Sequence, residues 1–242
     1  MKKIISAVFI TLFASFGGAQ TAQECLMLGN QAYGKGDFSQ AVEHYNEAVK
    51  KGGNSAELYF NLANANAKLG KKGDALLYYI KANVQQPRLR EAEANLKLFA
   101  KDNDIQLPEK TAVELYLLEL SDYELILIAF VAFWISILLI FIPPMYQKKN
   151  SAYIFLAIIS VIITIASFYG TIKWQSIRNM AVARTDDVAL RLSPTEHSPV
   201  ASVVHEGTIA KIESSKDDFI YVITPSGKKG WANIDKMTPI GN

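Results

Sequence analysis

Apolar residues follow several distinct rhythms along this chain, and each rhythm predicts a different element. Lys2 and Lys3 precede an apolar run from Ile4 to Phe16, closed by the small residues Gly17, Gly18 and Ala19. A charged start, a short apolar stretch and a small-x-small end predict a secretory signal peptide over residues 1–19. An uncleaved amino-terminal anchor would likewise export the segment after residue 19. Asp102–Lys110 is polar and proline-bearing, and the predicted linker and amphipathic helix together occupy 104–120. Thr111 and Glu114 have the spacing of a capping box, and Val113, Tyr116, Leu117 and Leu120 form one apolar stripe at helical period. That helix would lie on a membrane surface or against the preceding helices. Ser121 and Glu124 repeat the capping spacing and open the uncharged stretch Leu125–Ile142, about 27 Å long as a helix. A second uncharged stretch runs from Ala152 to Ile172. These predict transmembrane helices over 121–142 and 152–172, with Pro143 and Pro144 ending the first because proline does not continue a helix. Beyond a linker at 173–182 the period drops to two. The runs Val188–Leu192, Val200–Val204, Thr208–Ile212, Phe219–Thr224 and Gly230–Ile234 predict five short strands within 183–242.

An internal repeat organises residues 20–103. Shifting the chain by 34 positions lays Leu28-Gly29-Asn30 on Leu62-Ala63-Asn64, Gly36 on Gly70, Ala41 on Ala75, Tyr45 on Tyr79 and Ala48 on Ala82. Glycines then fall where two antiparallel helices turn, and alanines where they cross. The pattern, with Gly36-Asp37-Phe38-Ser39-Gln40-Ala41 at mid-hairpin, resembles the tetratricopeptide repeat. Leu96 continues the Leu28/Leu62 series, and Arg90–Lys101 reads as a capping helix. The resemblance implies a concave groove lined by the first helix of each hairpin, with Leu26, Asn30, Tyr33, Phe60, Asn64 and Lys68 facing a protein partner. Asn30 and Asn61 match the asparagines of family members that grip peptide carboxyl termini. The cation positions hold Leu26, Glu91 and Asn95, so that clamp is not expected. Asn30 and Asn64 would otherwise satisfy local backbone groups.

Orientation is set by export of the amino terminus. The spans then run out-to-in and in-to-out around a cytoplasmic loop at 143–151, where Lys148 and Lys149 satisfy the positive-inside rule. No ionisable residue interrupts either span, which argues against transport. Ala132 with Ser136, and Ala166 with Gly170, have the small-residue spacing that lets helices approach closely.

Composition narrows the chemistry. With 25 Lys+Arg against 23 Asp+Glu the net charge is +2, and neither residues 23–103 nor 173–242 form a basic module, so nucleic acid is not an expected partner. Cys25 is the sole cysteine, which excludes an intramolecular disulfide. His44, His197 and His205 are scattered and have no partner carboxylate nearby in sequence. No motif proposes a metal, a cofactor or a nucleophile with its base, and the expectation is a non-enzyme.

The tail sequences Val188–Pro194, Glu206-Gly207-Thr208, Phe219–Val222 and Gly230-Trp231-Ala232 resemble a bacterial SH3-like domain. That resemblance implies a small all-β barrel, and Phe219, Tyr221 and Trp231 as a possible surface for peptidoglycan. The expected architecture is therefore an all-α repeat solenoid, a two-helix transmembrane hairpin and a small SH3-like barrel. This order, with Leu58–Asn64 opening the second repeat and Ser121-Asp122 opening the first span, is similar to the BatE-like family of bacterial aerotolerance operons. The similarity implies an inner-membrane scaffold with repeats and barrel on the periplasmic side. It further implies membrane partners with von Willebrand A domains, a MoxR-type ATPase nearby, and an indirect part in envelope or oxidative stress tolerance.

Overall fold

The computed structural model describes residues 21–145 and 151–241. The expected signal peptide and most of the expected cytoplasmic loop lie outside the described residues. The chain divides into two compact units, one ending at Asn54 and the other beginning at Ser55.

The first unit is a helical hairpin, α1 (Ala22–Gly34) and α2 (Phe38–Lys50). Thr21 and Glu24 cap α1 reciprocally, and the Asp37 carboxylate accepts the Gln40 amide at the start of α2. Ala41, Tyr45 and Ala48 are buried on the inner face of α2, at the repeated positions. Cys25 is buried on α1, its sulfur 3.5 Å from the Lys51 ammonium.

The second unit opens with α3 (Ala56–Lys68), α4 (Lys72–Gln85) and α5 (Arg90–Asp102). After them come the short α6 (Ala112–Leu117) and two long helices, α7 (Asp122–Met145) and α8 (Ser151–Arg178). Both long helices are apolar and long enough to cross a membrane, and most of their side chains are exposed. They pair through small residues: Ala132, Ser136, Ala157 and Ser160 are buried, and the Ser160 hydroxyl donates to the Ala132 carbonyl at 2.6 Å.

Two helix ends differ from the sequence expectation. Proline does not stop α7, which runs through Pro143 and Pro144 to Met145. The fixed φ of proline matches a helix, and the N–H groups missing at Pro143 and Pro144 deprive only the carbonyls of Leu139 and Ile140 of their ladder bonds. Helix α8 continues past Ile172 to Arg178, so most of the predicted linker is helical. The continuation is fastened at both ends. Lys173 pairs with Glu114 at 2.6 Å, Arg178 pairs with Asp122 at 2.6 Å, and the Trp174 indole donates to the Leu120 carbonyl at 2.9 Å.

The carboxyl-terminal region is one antiparallel sheet of seven strands, in the order β3-β2-β6-β5-β4-β1-β7. Its strands are β1 (Met180–Ala183), β2 (Val188–Arg191), β3 (Val200–Val204), β4 (Ile209–Lys216), β5 (Phe219–Ile223), β6 (Lys229–Asn233) and β7 (Met237–Pro239). The five expected strands are present as β2–β6. Two further strands extend the sheet beyond them: β1 pairs with both β4 and β7. The sheet does not close, because β4 is paired on both sides and the edges are β3 and β7. The expected closed barrel is thus replaced by an open sheet.

Strand β1 is buried on both faces. Ala181 and Ala183 join the sheet's own core with Val188, Leu190, Ile220 and Val222. Val182 instead joins Leu76, Leu77 and Ile80 of α4, together with Ile209 and Ile240. The sheet therefore packs on the second hairpin, and at this joint the backbones come close. A Cβ on Gly73 would overlap the Ala183 carbonyl oxygen and lie 2.6 Å from the Arg184 Cα. The Gly73 amide donates to the Glu206 carboxylate at 2.7 Å, and Asp74 pairs with Arg184.

Candidate functional site

Candidate binding residues lie on the first helix of each hairpin. In the first unit, Asn30 is exposed and its side-chain oxygen accepts the Tyr45 hydroxyl at 2.8 Å. Tyr33 is half-buried in an edge-to-face pair with Phe38, ring centroids 5.1 Å apart. Leu26 is buried rather than open to a groove.

In the second unit Phe60, Asn64 and Lys68 succeed one another at four-residue spacing and so share one face of α3. Asn64 accepts the Tyr79 hydroxyl at 2.6 Å and the Asn95 amide at 3.4 Å. Phe60, Tyr79 and Phe99 form an aromatic row, with successive ring centroids 6.2 and 5.6 Å apart. Lys68 stands exposed at the end of the stripe. This face offers a cation, half-buried aromatics and amides, a combination suited to an extended or helical peptide.

Asn30 and Asn64 each accept a tyrosine hydroxyl of the next helix, fifteen residues on. The pair recurs at the repeat period and is visible in the sequence as Asn30/Tyr45 and Asn64/Tyr79. Both asparagines therefore help hold their hairpins together.

On the sheet, Tyr221 and Trp231 are directly opposite each other across β5 and β6, with ring centroids 5.4 Å apart in an edge-to-face pair. Both are half-buried, on the face opposite the core residues Ile220, Val222 and Ala232. Phe219 is buried at 8% exposure and adds little to any surface. The aromatic surface thus reduces to two residues.

Titratable groups are arranged for fastening. Glu114, only 4% exposed, accepts from the Lys173 ammonium at 2.6 Å, the Tyr169 hydroxyl at 2.9 Å and the Thr111 amide at 2.8 Å. These donors, the lysine foremost, hold its pKa down at about 2. Arg88 reaches Glu124 at 3.0 Å and Arg90 reaches Glu119 at 3.4 Å, tying the second hairpin to the segment that opens α7. His205 does have a carboxylate neighbour, Asp187 at 3.8 Å, brought there by the pairing of β2 with β3. Both side chains are well exposed, so the contact is a weak surface pair. Among the described residues no three His, Cys, Asp or Glu side chains converge as a metal site would require.

A family model for the TPR repeat matches residues 29–70. The match runs from the middle of α1 through α2 and α3 to the turn at Gly70, so a TPR repeat is detected within the helical hairpins. Such repeats are protein-interaction modules.

Proposed function

We propose that this chain is a membrane-anchored, non-catalytic scaffold whose tetratricopeptide repeats recruit a protein partner. The observation that carries the reading is the exposed and half-exposed stripe Phe60, Asn64 and Lys68 on a recognised repeat, backed by the Tyr79–Phe99 aromatic row. Helices α7 and α8 supply the anchor, their outward side chains being those a bilayer would solvate. The second hairpin and the sheet both pack at the end of the spans where Asp122 meets Arg178. That arrangement supports a common side for both. Lys148 and Lys149 at the other end support a cytoplasmic loop, and hence a bacterial inner-membrane protein with its domains in the periplasm. The similarity to the aerotolerance-operon family supplies the partner class, membrane proteins with von Willebrand A domains, and a role in envelope stress tolerance.

The test is affinity purification of the full-length chain from its native membrane after mild crosslinking, with partners identified by mass spectrometry. Asn64 is a poor residue to change, because it also holds Tyr79. Phe60→Leu with Lys68→Glu alters the outward stripe and leaves that bond in place. Loss of a partner that the unaltered chain retains supports the groove. Unchanged recovery sinks it.

A second reading makes the sheet a cell-wall sensor, favoured by the Tyr221–Trp231 pair on its outer face. Co-sedimentation of the full-length chain with purified wall material, abolished by Trp231→Ala, would support it; absence of binding rejects it.

A further inference from the structure

The second unit contains a partly open cavity of about 330 Å³ that partner recruitment does not use. Its wall is mostly apolar, formed by Ile80 and Val84 of α4, Leu96 of α5, Trp174 and Ile177 of α8, and Ile209 of β4. Its size is at the lower end of small-molecule sites. A mostly apolar wall with a few polar groups at its margin is the usual make-up of a small-molecule site.

A smaller chamber of about 190 Å³ opens beside it and shares Asn83, Glu93, Lys97 and Lys110 with it. This smaller chamber is polar, with the cations Arg90, Lys97 and Lys110 set against the anions Glu93 and Glu119. Glu93 is held by Lys97 at 2.8 Å and Glu119 by Arg90 at 3.4 Å. Lys110 is exposed and makes no close ion pair among the described residues, acting on Glu93 only from a distance. The smaller chamber therefore has one cation in excess.

Location narrows the ligand further. Trp174 and Ile177 continue the same helix whose Phe168 and Ile172 are exposed along the apolar span. The cavity wall is thus the direct extension of a helix that a bilayer would surround.

We propose that the two chambers hold one single-chain anionic amphiphile drawn from the membrane, with its chain in the apolar chamber and its carboxylate or phosphate at Lys110. The proposal rests on the reading of α7 and α8 as membrane spans. Lys173 is not a head-group ligand, because Glu114 already occupies it.

The test reconstitutes the full-length chain in phosphatidylcholine vesicles containing either a diazirine-bearing fatty acid or a diazirine-bearing lysophosphatidic acid. Sites labelled on irradiation are mapped by mass spectrometry. The expected result is labelling within 80–118 and 174–180, in addition to the outer faces of the spans. Ile177→Trp fills the apolar chamber and should remove the cavity label. Lys110→Gln, at an exposed position, should lower it about tenfold, as loss of one charge-assisted hydrogen bond would. Neither change should alter labelling of the spans. Cavity labelling by the fatty acid alone assigns a carboxylate head, and by the lysophosphatidate alone a phosphate. Labelled spans without cavity label, or cavity label that survives both variants, overturns the proposal while leaving the membrane reading intact. Absence of label on the spans overturns both.

Discussion

The two helical hairpins share their inner faces and differ on one outer face. Ala41 and Ala75, Tyr45 and Tyr79, and Ala48 and Ala82 are buried at matching positions of α2 and α4. Elsewhere on the same helices the match fails. Where α2 has Ser39, Gln40, Glu43, Asn46 and Lys50, α4 has Gly73, Asp74, Leu77, Ile80 and Val84. The α2 set is polar, and all but half-buried Asn46 is exposed; in the α4 set Gly73, Leu77 and Ile80 are buried. Positions that keep the repeat period encode the hairpin, because each hairpin must close on itself. Positions that break the period encode what docks on it, here the sheet through Val182 of β1 and Ile209 of β4. In a degenerate repeat, departures from the period are therefore informative.

The strongest way to break this contrast is to give α4 the residue that α2 has. Leu77→Glu, matching Glu43, would bury a carboxylate among Leu76, Ile80 and Val182 and should cost about 4 kcal/mol. The reciprocal Glu43→Leu, at an exposed site, should stay within about 0.5 kcal/mol. Amide hydrogen exchange of the full-length protein reads both, and protection at residues 180–183 should collapse only in the first. Equal loss in both variants would mean that the outer face of α4 is not what holds the sheet.

Gly73→Ala probes the same joint through the backbone. The new methyl must displace the Ala183–Arg184 main chain, which belongs to a strand paired on both sides. A loss of about 2 kcal/mol is expected, against a near-neutral Ser39→Ala at the matching exposed position. Retained protection of β1 in Gly73→Ala would show that the joint can open without cost.

Much of this architecture is legible from local pattern. The spacing of Gly36, Gly70 and the alanines marks the hairpins, and the capping pairs Thr111/Glu114 and Ser121/Glu124 form as spaced. The long apolar helices and strands β2–β6 also fall where hydropathy places them. The features that local pattern misses depend on partners distant in sequence. Strand β1, Met-Ala-Val-Ala, has no alternation to find because both its faces are buried. Lys173 and Arg178 look like the end of a span until Glu114 and Asp122, more than fifty residues earlier, neutralise them. The candidate face rests on the repeat resemblance, which locates Phe60, Asn64 and Lys68 on one stripe. It gives no warning that Leu26 and Phe219 are covered, since burial depends on neighbours that a motif does not name.

Acid sharpens the comparison from another side. The second unit relies on the buried carboxylate of Glu114, whereas no carboxylate is buried among the described residues of the first unit. Its pKa is depressed to about 2 from an ordinary 4.5. The stabilisation is therefore complete above about pH 4.5 and is lost as pH falls toward 2. Docking of α6 on α8, monitored by hydrogen exchange at residues 112–120, should weaken across that window. Glu114→Gln should be weaker at neutral pH and flat through the same range. A Gln variant with the unaltered protein's pH profile would assign the acid response to another group.

The smallest expected effect lies in a tyrosine–asparagine bond that both hairpins share. Tyr45→Phe and Tyr79→Phe each delete a hydroxyl donated to an asparagine of the preceding helix, at 2.8 and 2.6 Å respectively. Asn30 is exposed, so water can replace the lost donor; Asn64 is half-buried and is left chiefly with the long 3.4 Å contact from Asn95. Tyr79→Phe should therefore cost about 1 kcal/mol and Tyr45→Phe about half of that. Hydrogen exchange in α2 and α4 measures the two losses within one molecule. A larger loss in the first hairpin would mean that the polar surface of α2 depends on Tyr45 more than the docked face of α4 depends on Tyr79, reversing the order of stability that the sheet contact implies.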